Sequence, residues 1–262
     1  MATSTPETLT VRLAKPEEFD KIAASAREAF IHDPVFNYFG GHKELLPKDG
    51  DTVDTRNLET FFKFLLKSCH RVGGQIAVTV KSVETATPGV TEEKIVAGAF
   101  WCPPNKRLAL WRVPTLVQSG IVEVLRRWGF SALMRVGFEY LDQSHAGMSA
   151  GYKAKGVKQS PDASWYLQLV WTEPAHQGQG IMPLMVHDAI AKAKPGIPFT
   201  LEATTSASRD RYLRLGFEEV YTINLGKGKV NALGIPASGA GAVGVSSWSM
   251  INWDPKPLES KS

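Results

Sequence analysis

The run Ser164-Trp165-Tyr166-Leu167-Gln168-Leu169-Val170-Trp171 passes directly into Thr172-Glu173-Pro174-Ala175-His176-Gln177-Gly178-Gln179-Gly180-Ile181. Its first half reads as a strand, with Trp165, Leu167, Leu169 and Trp171 on one face and Ser164, Tyr166, Gln168 and Val170 on the other. Apolar residues on both faces predict an interior position in a sheet. Glu173-Pro174 ends the strand, and the turn from His176 to Gly180 opens a helix buried through Ile181, Met182, Met185, Val186, Ala189, Ile190 and Ala193. A second strand over 199–203 and a short helix ending in Leu215-Gly216-Phe217 follow. Strand, glycine-bearing turn, helix and strand in that order describe an anion-binding crossover. The first N–H groups of the helix lack intrahelical partners and face outward with the positive end of its dipole. Gly178 and Gly180 remove side chains that would hold a phosphate away from them. Gly180-Ile181-Met182 lacks the Lys-Ser/Thr ending of a Walker loop, and the third glycine of a dinucleotide fingerprint is missing.

Working outward, the flanks read as framework. Residues 1–8 are expected to be a disordered lead, 9–254 one domain and 255–262 a tail. Leu9 to Ala14 is a strand, and Pro16 opens a helix whose buried face carries Phe19, Ile22, Ala23, Ala26, Ala29 and Phe30. Asp33-Pro34 ends that helix, and the aromatic stretch from Val35 to Gly41 is a loop or short helix. Leu58, Phe61, Phe62, Leu65, Leu66 and Cys69 mark a second amphipathic helix. Strands over 75–81 and 94–101 enclose a long loop, 82–93, that contains Pro88-Gly89. Residues 105–145 predict two helices packed on the sheet, with a membrane-surface helix as the rival account. Ala146 to Pro161 reads as a Gly/Lys/Ser loop, and strands beginning at Glu219 and around Trp248 to Trp253 flank a Gly/Ala-rich loop, 226–244.

Composition narrows the function classes. The chain has 262 residues and a net charge of +4, with its lysines and arginines scattered. The densest basic cluster, Lys153, Lys155 and Lys158, reads as a solvated loop rather than a nucleic-acid patch. No apolar run reaches the ~18 residues of a membrane span, and the amino terminus lacks the basic and apolar regions of a signal peptide. Two cysteines, Cys69 and Cys102, form neither a disulfide framework nor a metal spacing. Cys69 lies on an apolar stripe, and Cys102, beside Pro103-Pro104, has no visible partner. A cytoplasmic setting is expected.

Val170-x-x-x-Pro174-x-x-Gln177-Gly178-x-Gly180-Ile181 resembles motif A of the GNAT acyltransferase superfamily, and Thr205-x-x-Ser208-x-x-x-Tyr212-x-x-Leu215-Gly216-Phe217 is similar to its motif B. Within that superfamily, Thr10-Val11-Arg12-Leu13-Ala14, Ser164-Trp165-Tyr166-Leu167, Leu201-Glu202-Ala203-Thr204 and Tyr212-Leu213-Arg214-Leu215-Gly216-Phe217 resemble puromycin N-acetyltransferases and their fungal and actinobacterial relatives. The resemblance is dense over 164–217 and thin elsewhere. It implies an α/β fold with a mixed, mostly antiparallel twisted sheet, flanked by helices and splayed where acetyl-CoA enters as co-substrate. It further implies that the pyrophosphate rests on the amides of Gln177, Gly178, Gln179, Gly180, Ile181 and Met182, near Ser208 and Tyr212. The pantetheine arm would run along the backbone of Leu169, Val170 and Trp171. Met182 stands where the family has Gly or Ala; Pro183 disfavours helical geometry at Met182 and turns its side chain toward the phosphates.

The implied reaction is acetylation of a small-molecule amine, as in detoxification or resistance, by a monomer or homodimer. An amine attacking a thioester creates an oxyanion, which a backbone N–H of the splayed strand can meet. It then expels a thiolate of pKa ~8.5, which a phenol near ~10 can protonate. Tyr212 stands at the family's position for that acid; otherwise it is a helix residue packed on Phe217. An α-amine of pKa ~8 needs little help, whereas an alkylamine at ~10.4 needs a base. Glu202 is a candidate for that base through water, or a buried structural group; Glu173 is another. His176 is expected to cap the loop. Acetylation of protein or polyamine amines and a non-catalytic acyl-CoA-binding module are the alternatives.

Overall fold

The computed structural model describes residues 9–48, 50–84 and 90–257. The expected lead at 1–8, the Pro88-Gly89 turn and the end of the tail lie outside the described residues. Runs rich in β-branched, aromatic and other apolar residues form the strands β1 (Leu9–Leu13), β2 (Gln75–Glu84), β3 (Thr91–Cys102), β4 (Trp165–Thr172), β5 (Phe199–Ala203), β6 (Glu218–Leu225) and β7 (Val245–Asn252). They make one sheet in the order β1-β2-β3-β4-β5-β7-β6, in which only β4 and β5 run parallel. Both ends of the long loop expected at 82–93 are strand instead, because Ser82, Val83 and Glu84 pair with Glu93, Glu92 and Thr91.

Helices cover both faces. On one lie α1 (Phe19–Phe30), α2 (Pro34–Gly40) and α3 (Val53–Arg71). Their phenylalanines interlock: Phe36 meets Phe30, Phe39, Phe61 and Phe62 edge-on at 4.9–6.1 Å. Such edge-to-face pairs add about 0.5–1.5 kcal/mol each beyond area burial. On the other face α8 (Ile181–Lys192) and α9 (Ser206–Arg214) bury Ile181, Met185, Val186 and Tyr212 against Leu167, Phe199, Leu201 and Ala203.

Residues 105–154 differ from the two helices and loop expected there. They form α4 (Val113–Ser119), α5 (Ile121–Trp128), α6 (Phe130–Leu133), a π-helical stretch at Met134–Tyr140, and α7 (Leu141–Ala154). The glycines that suggested a loop instead allow close packing of a helix on β6. A Cβ on Gly147 would lie 2.7 Å from Tyr221, and one on Gly151 would lie 2.8 Å from Val220.

The faces of β4 also need correction. Phe100 pairs with Leu169 but Trp101 pairs with Leu167, so Gln168 is an extra residue in the ladder. This β-bulge reverses the alternation. Trp165, Leu167 and Val170 pack on the α8 side, whereas Tyr166, Leu169 and Trp171 pack on the α1–α3 side. Cys102 is likewise not alone: its Sγ lies 3.8 Å from that of Cys69, and both side chains are buried.

Candidate active site

Three registered pairs join β4 to β5: Trp165 with Phe199, Tyr166 with Thr200, and Leu167 with Leu201. Beyond them β4 continues to Thr172 beside β3 alone. The Glu173 N–H donates to the Val96 carbonyl at 2.8 Å. Antiparallel alternation then turns the backbone groups of Leu169 and Trp171 toward β3 and those of Val170 and Thr172 into the opening beside β5. Consistent with that direction, the Gln177 side-chain amide donates to the Thr172 carbonyl at 3.2 Å.

The turn after β4 frames the same opening. A 3₁₀ turn at Pro174–His176 leads to Gly178 and Gly180, whose φ values of 80° and 75° lie in the left-handed region that L side chains avoid. Gly180 caps α8, and a Cβ on either glycine would meet no heavy atom within 4 Å. Among the described residues, the N–H groups of Gly178, Gln179, Gly180, Ile181 and Met182 have no backbone acceptor. Five free amides at the amino end of a twelve-residue helix, with no carboxylate bonded to them, suit a phosphate.

Met182 and Pro183 lie within the first turn of α8, contrary to the expected distortion. A first-turn proline loses only an N–H that was already without a partner, so packing overrides the local bias. Met182 is half-buried and packs against the core on the α8 face. Ser208, at the start of α9, is committed to a reciprocal cap: its N–H donates to Thr205 Oγ1 at 3.1 Å and its hydroxyl accepts from the Thr205 N–H at 3.2 Å.

Tyr212 lies on the α8–α9 face, 5 % exposed, with its ring 5.5 Å from that of Phe217. Burial raises its phenol pKa, and its hydroxyl has no hydrogen-bond partner among the described residues. Glu202 lies on the opposite face, because β5 directs Phe199, Leu201 and Ala203 toward α8 and α9 and Thr200 and Glu202 the other way. It accepts hydrogen bonds from Tyr166 Oη at 2.8 Å and from Ser144 Oγ. The sheet separates the two candidate catalytic residues, and the opening between β4 and β5 is where its two faces communicate.

Sequence reasoning missed the groups around Glu202. Asp33, read as the end of α1, instead caps α2, accepting from the N–H groups of Val35 and Phe36 at 2.9 and 3.3 Å. It also accepts from the Thr204 hydroxyl at 2.6 Å, and burial raises its pKa to about 6. Asp followed by Pro is itself an N-cap signature, so this role had a local signal. Tyr140 is pushed well above its usual range by burial and then by the charge of Glu202, with Asp33 contributing. Arg107 lies 4.3 Å over the Tyr166 ring and donates to Thr200 Oγ1 at 2.7 Å, bracing the paired end of the two strands.

Glu173 and His176 stand in the short turn between β4 and Gly178. Glu173 Oε2 is 3.3 Å from Lys94 Nζ and 3.6 Å from His176 Nδ1, and Ser25 is 3.5 Å from Oε1. These contacts describe a structural cluster. No helix among the described residues is long and apolar enough to cross a membrane.

No family model matches the chain. Among solved structures, it is similar to a Corynebacterium glutamicum protein described as histone acetyltransferase HPA2 and related acetyltransferase. The identity is 22 %, over 96 % of this chain and 99 % of that one, with a TM-score of 0.53. It is also similar to arylalkylamine N-acetyltransferase 2 from Aedes aegypti, at 12 % identity over 93 % of this chain and 97 % of the other, with a TM-score of 0.52. The fold is that of the GNAT acetyltransferases: a mostly antiparallel open sheet flanked by helices.

Proposed function

We propose that this protein is an N-acetyltransferase that moves an acetyl group from acetyl-CoA to the amine of a small molecule. The observation that carries the reading is the parting of β4 from β5 beyond Leu167 and Leu201, with the glycine turn at one end. In this reading Gly178 to Met182 hold the pyrophosphate through their free N–H groups, and Gln177 keeps the turn against β4 by its bond to Thr172. Val170 offers its backbone C=O to the pantetheine arm and its single N–H to the oxyanion that the thioester carbonyl oxygen becomes.

Tyr212 protonates the departing thiolate from the α8–α9 face. A phenol with a raised pKa remains protonated at neutral pH and so is available as the acid. Glu202 accepts the amine proton through water on the opposite face, where Tyr166 and Ser144 fix both carboxylate oxygens. This geometry supports attack from one face of the sheet and departure toward the other.

The motif resemblance favours acceptors of the puromycin type, and the fold is shared with a protein named for arylalkylamines. One observation favours a second reading, an acceptor of the polyamine type. Asp33 and Glu202, far apart in sequence, both act on Tyr140, so two carboxylates converge on the acceptor face. Thiol release from acetyl-CoA with puromycin, an arylalkylamine and a polyamine tests the proposal. Release with at least one of them, at a rate proportional to enzyme, is expected. Saturable binding of acetyl-CoA without release on any amine would replace the transferase by a binding module.

A further inference from the structure

A cavity of about 620 Å³ lies between the carboxyl end of α2, the α6–π-helical stretch and the 229–236 segment. It shares a turn with the acceptor face, since Glu139 lines it and the next residue is Tyr140. Its single carboxylate is already satisfied: Glu139 Oε2 accepts from the Tyr38 hydroxyl at 2.5 Å and Oε1 from the Gly226 N–H at 2.7 Å. Its cations are not. Arg135 is half-buried, and its Nε and Nη2 donate to the Phe39 carbonyl at 3.1 and 2.7 Å, while Nη1 has no acceptor among the described residues. Lys229 forms no ion pair among the described residues. His42, 4 % exposed in the wall, leaves Nε2 buried without a partner. The remaining wall is apolar, with Met134, Phe138 and Val230.

The charge of Glu139 acts on Arg135, yet against Arg135 and Lys229 together it leaves the lining with one positive charge in excess, and buried polar atoms are normally paired. That excess charge and the free Nη1 of Arg135 call for an anionic acceptor, and the apolar wall calls for a hydrocarbon body beside it. We propose that this cavity binds an organic carboxylate with an apolar body. Arg135 Nη1 and Lys229 hold the carboxylate, and Met134, Phe138 and Val230 cover the body.

The direct test is calorimetric titration of the full chain with 3-phenylpropanoate and, separately, with the matched cation 3-phenylpropylammonium, both without acetyl-CoA. Saturable binding of the acid is expected, at least tenfold tighter than that of the ammonium. Arg135 also caps α2, so the variants Lys229→Met and Ser131→Trp, both at exposed positions of the mouth, carry the test. The first should weaken the acid at least threefold, and the second, which fills the mouth, more than tenfold. Absence of acid binding, equal binding of the ammonium, or affinity unchanged in both variants would overturn the site. Once binding is established, acetylation of phenylalanine in the presence of acetyl-CoA assigns the site to the acceptor, and its absence assigns it to a separate effector. Because the titrations contain no acetyl-CoA, their failure is distinct from failure of the transferase reading.

Discussion

Tyr166 on β4 donates its hydroxyl hydrogen to Glu202 on β5 at 2.8 Å, across the last paired stretch before the strands part. The bond ties the acceptor face to the opening, and with Ser144 it leaves Glu202 held at both oxygens. A carboxylate fixed in this way is placed to take a proton without first reorganising.

Glu202→Gln should keep the fold, since an amide oxygen still accepts from Tyr166, and should lower turnover on the order of 10²-fold. The loss should be larger for an alkylamine of pKa ~10.4 than for an α-amine of ~8, because the former depends more on a base. Steady-state rates with one acceptor of each kind check this; equal losses would assign Glu202 a structural role.

Tyr212→Phe separates catalysis from packing. The hydroxyl has no hydrogen-bond partner among the described residues, so the variant should match the wild type in urea stability within about 0.5 kcal/mol. Turnover should nevertheless fall on the order of 10²-fold at neutral pH, with acetyl-CoA affinity unchanged. Full turnover would remove Tyr212 from the mechanism.

Gly180→Ala places a Cβ at φ 75° in open space, so its cost is that of the backbone alone, about 1–2 kcal/mol. The start of α8 should shift, and acetyl-CoA affinity should fall more than tenfold. Gly147→Ala should destabilise by packing instead, through the 2.7 Å approach to Tyr221, and should leave cofactor affinity alone. Denaturant midpoints and calorimetric affinities measured on both variants distinguish the two causes.

Asp33 sets a pH dependence of defined sign. Its folded pKa of about 6 lies above the ~3.9 of an unfolded carboxylate, so the folded state binds this proton more tightly. Its contribution to stability is complete below about pH 4 and is lost as pH rises toward 6, on the order of 3 kcal/mol. Asn caps a helix as well as Asp does. Asp33→Asn should therefore gain stability relative to the wild type between pH 4 and pH 7, as measured by urea unfolding at both values. A difference that does not change with pH would contradict the burial argument.

The crossover was legible because its signals are local. The apolar run of β4, Pro174, the two glycines and the period of α8 each constrain their own neighbourhood. The bulge at Gln168 was not, since it exists only in the register between β4 and β3. Gly147 and Gly151 misled for the same reason: a glycine in a loop and one admitting a neighbouring strand look alike until β6 is placed. The pairing of Cys69 with Cys102 and the convergence of Asp33, Tyr140, Ser144 and Glu202 join residues distant in sequence. One sequence carries no record of such contacts. Asp33 alone had a local sign, in the proline that follows it.

The opening between β4 and β5 is the centre of the account, and the backbone amides that face it report on it directly. Amide chemical shifts should be followed while acetyl-CoA is added to the isotope-labelled chain. Val170 and the Gly178–Met182 amides should move together and saturate with one affinity, while the amides around His42 and Lys229 stay in place. A titration that leaves Val170 and the glycine turn unmoved, or that moves only residues elsewhere, would contradict the site.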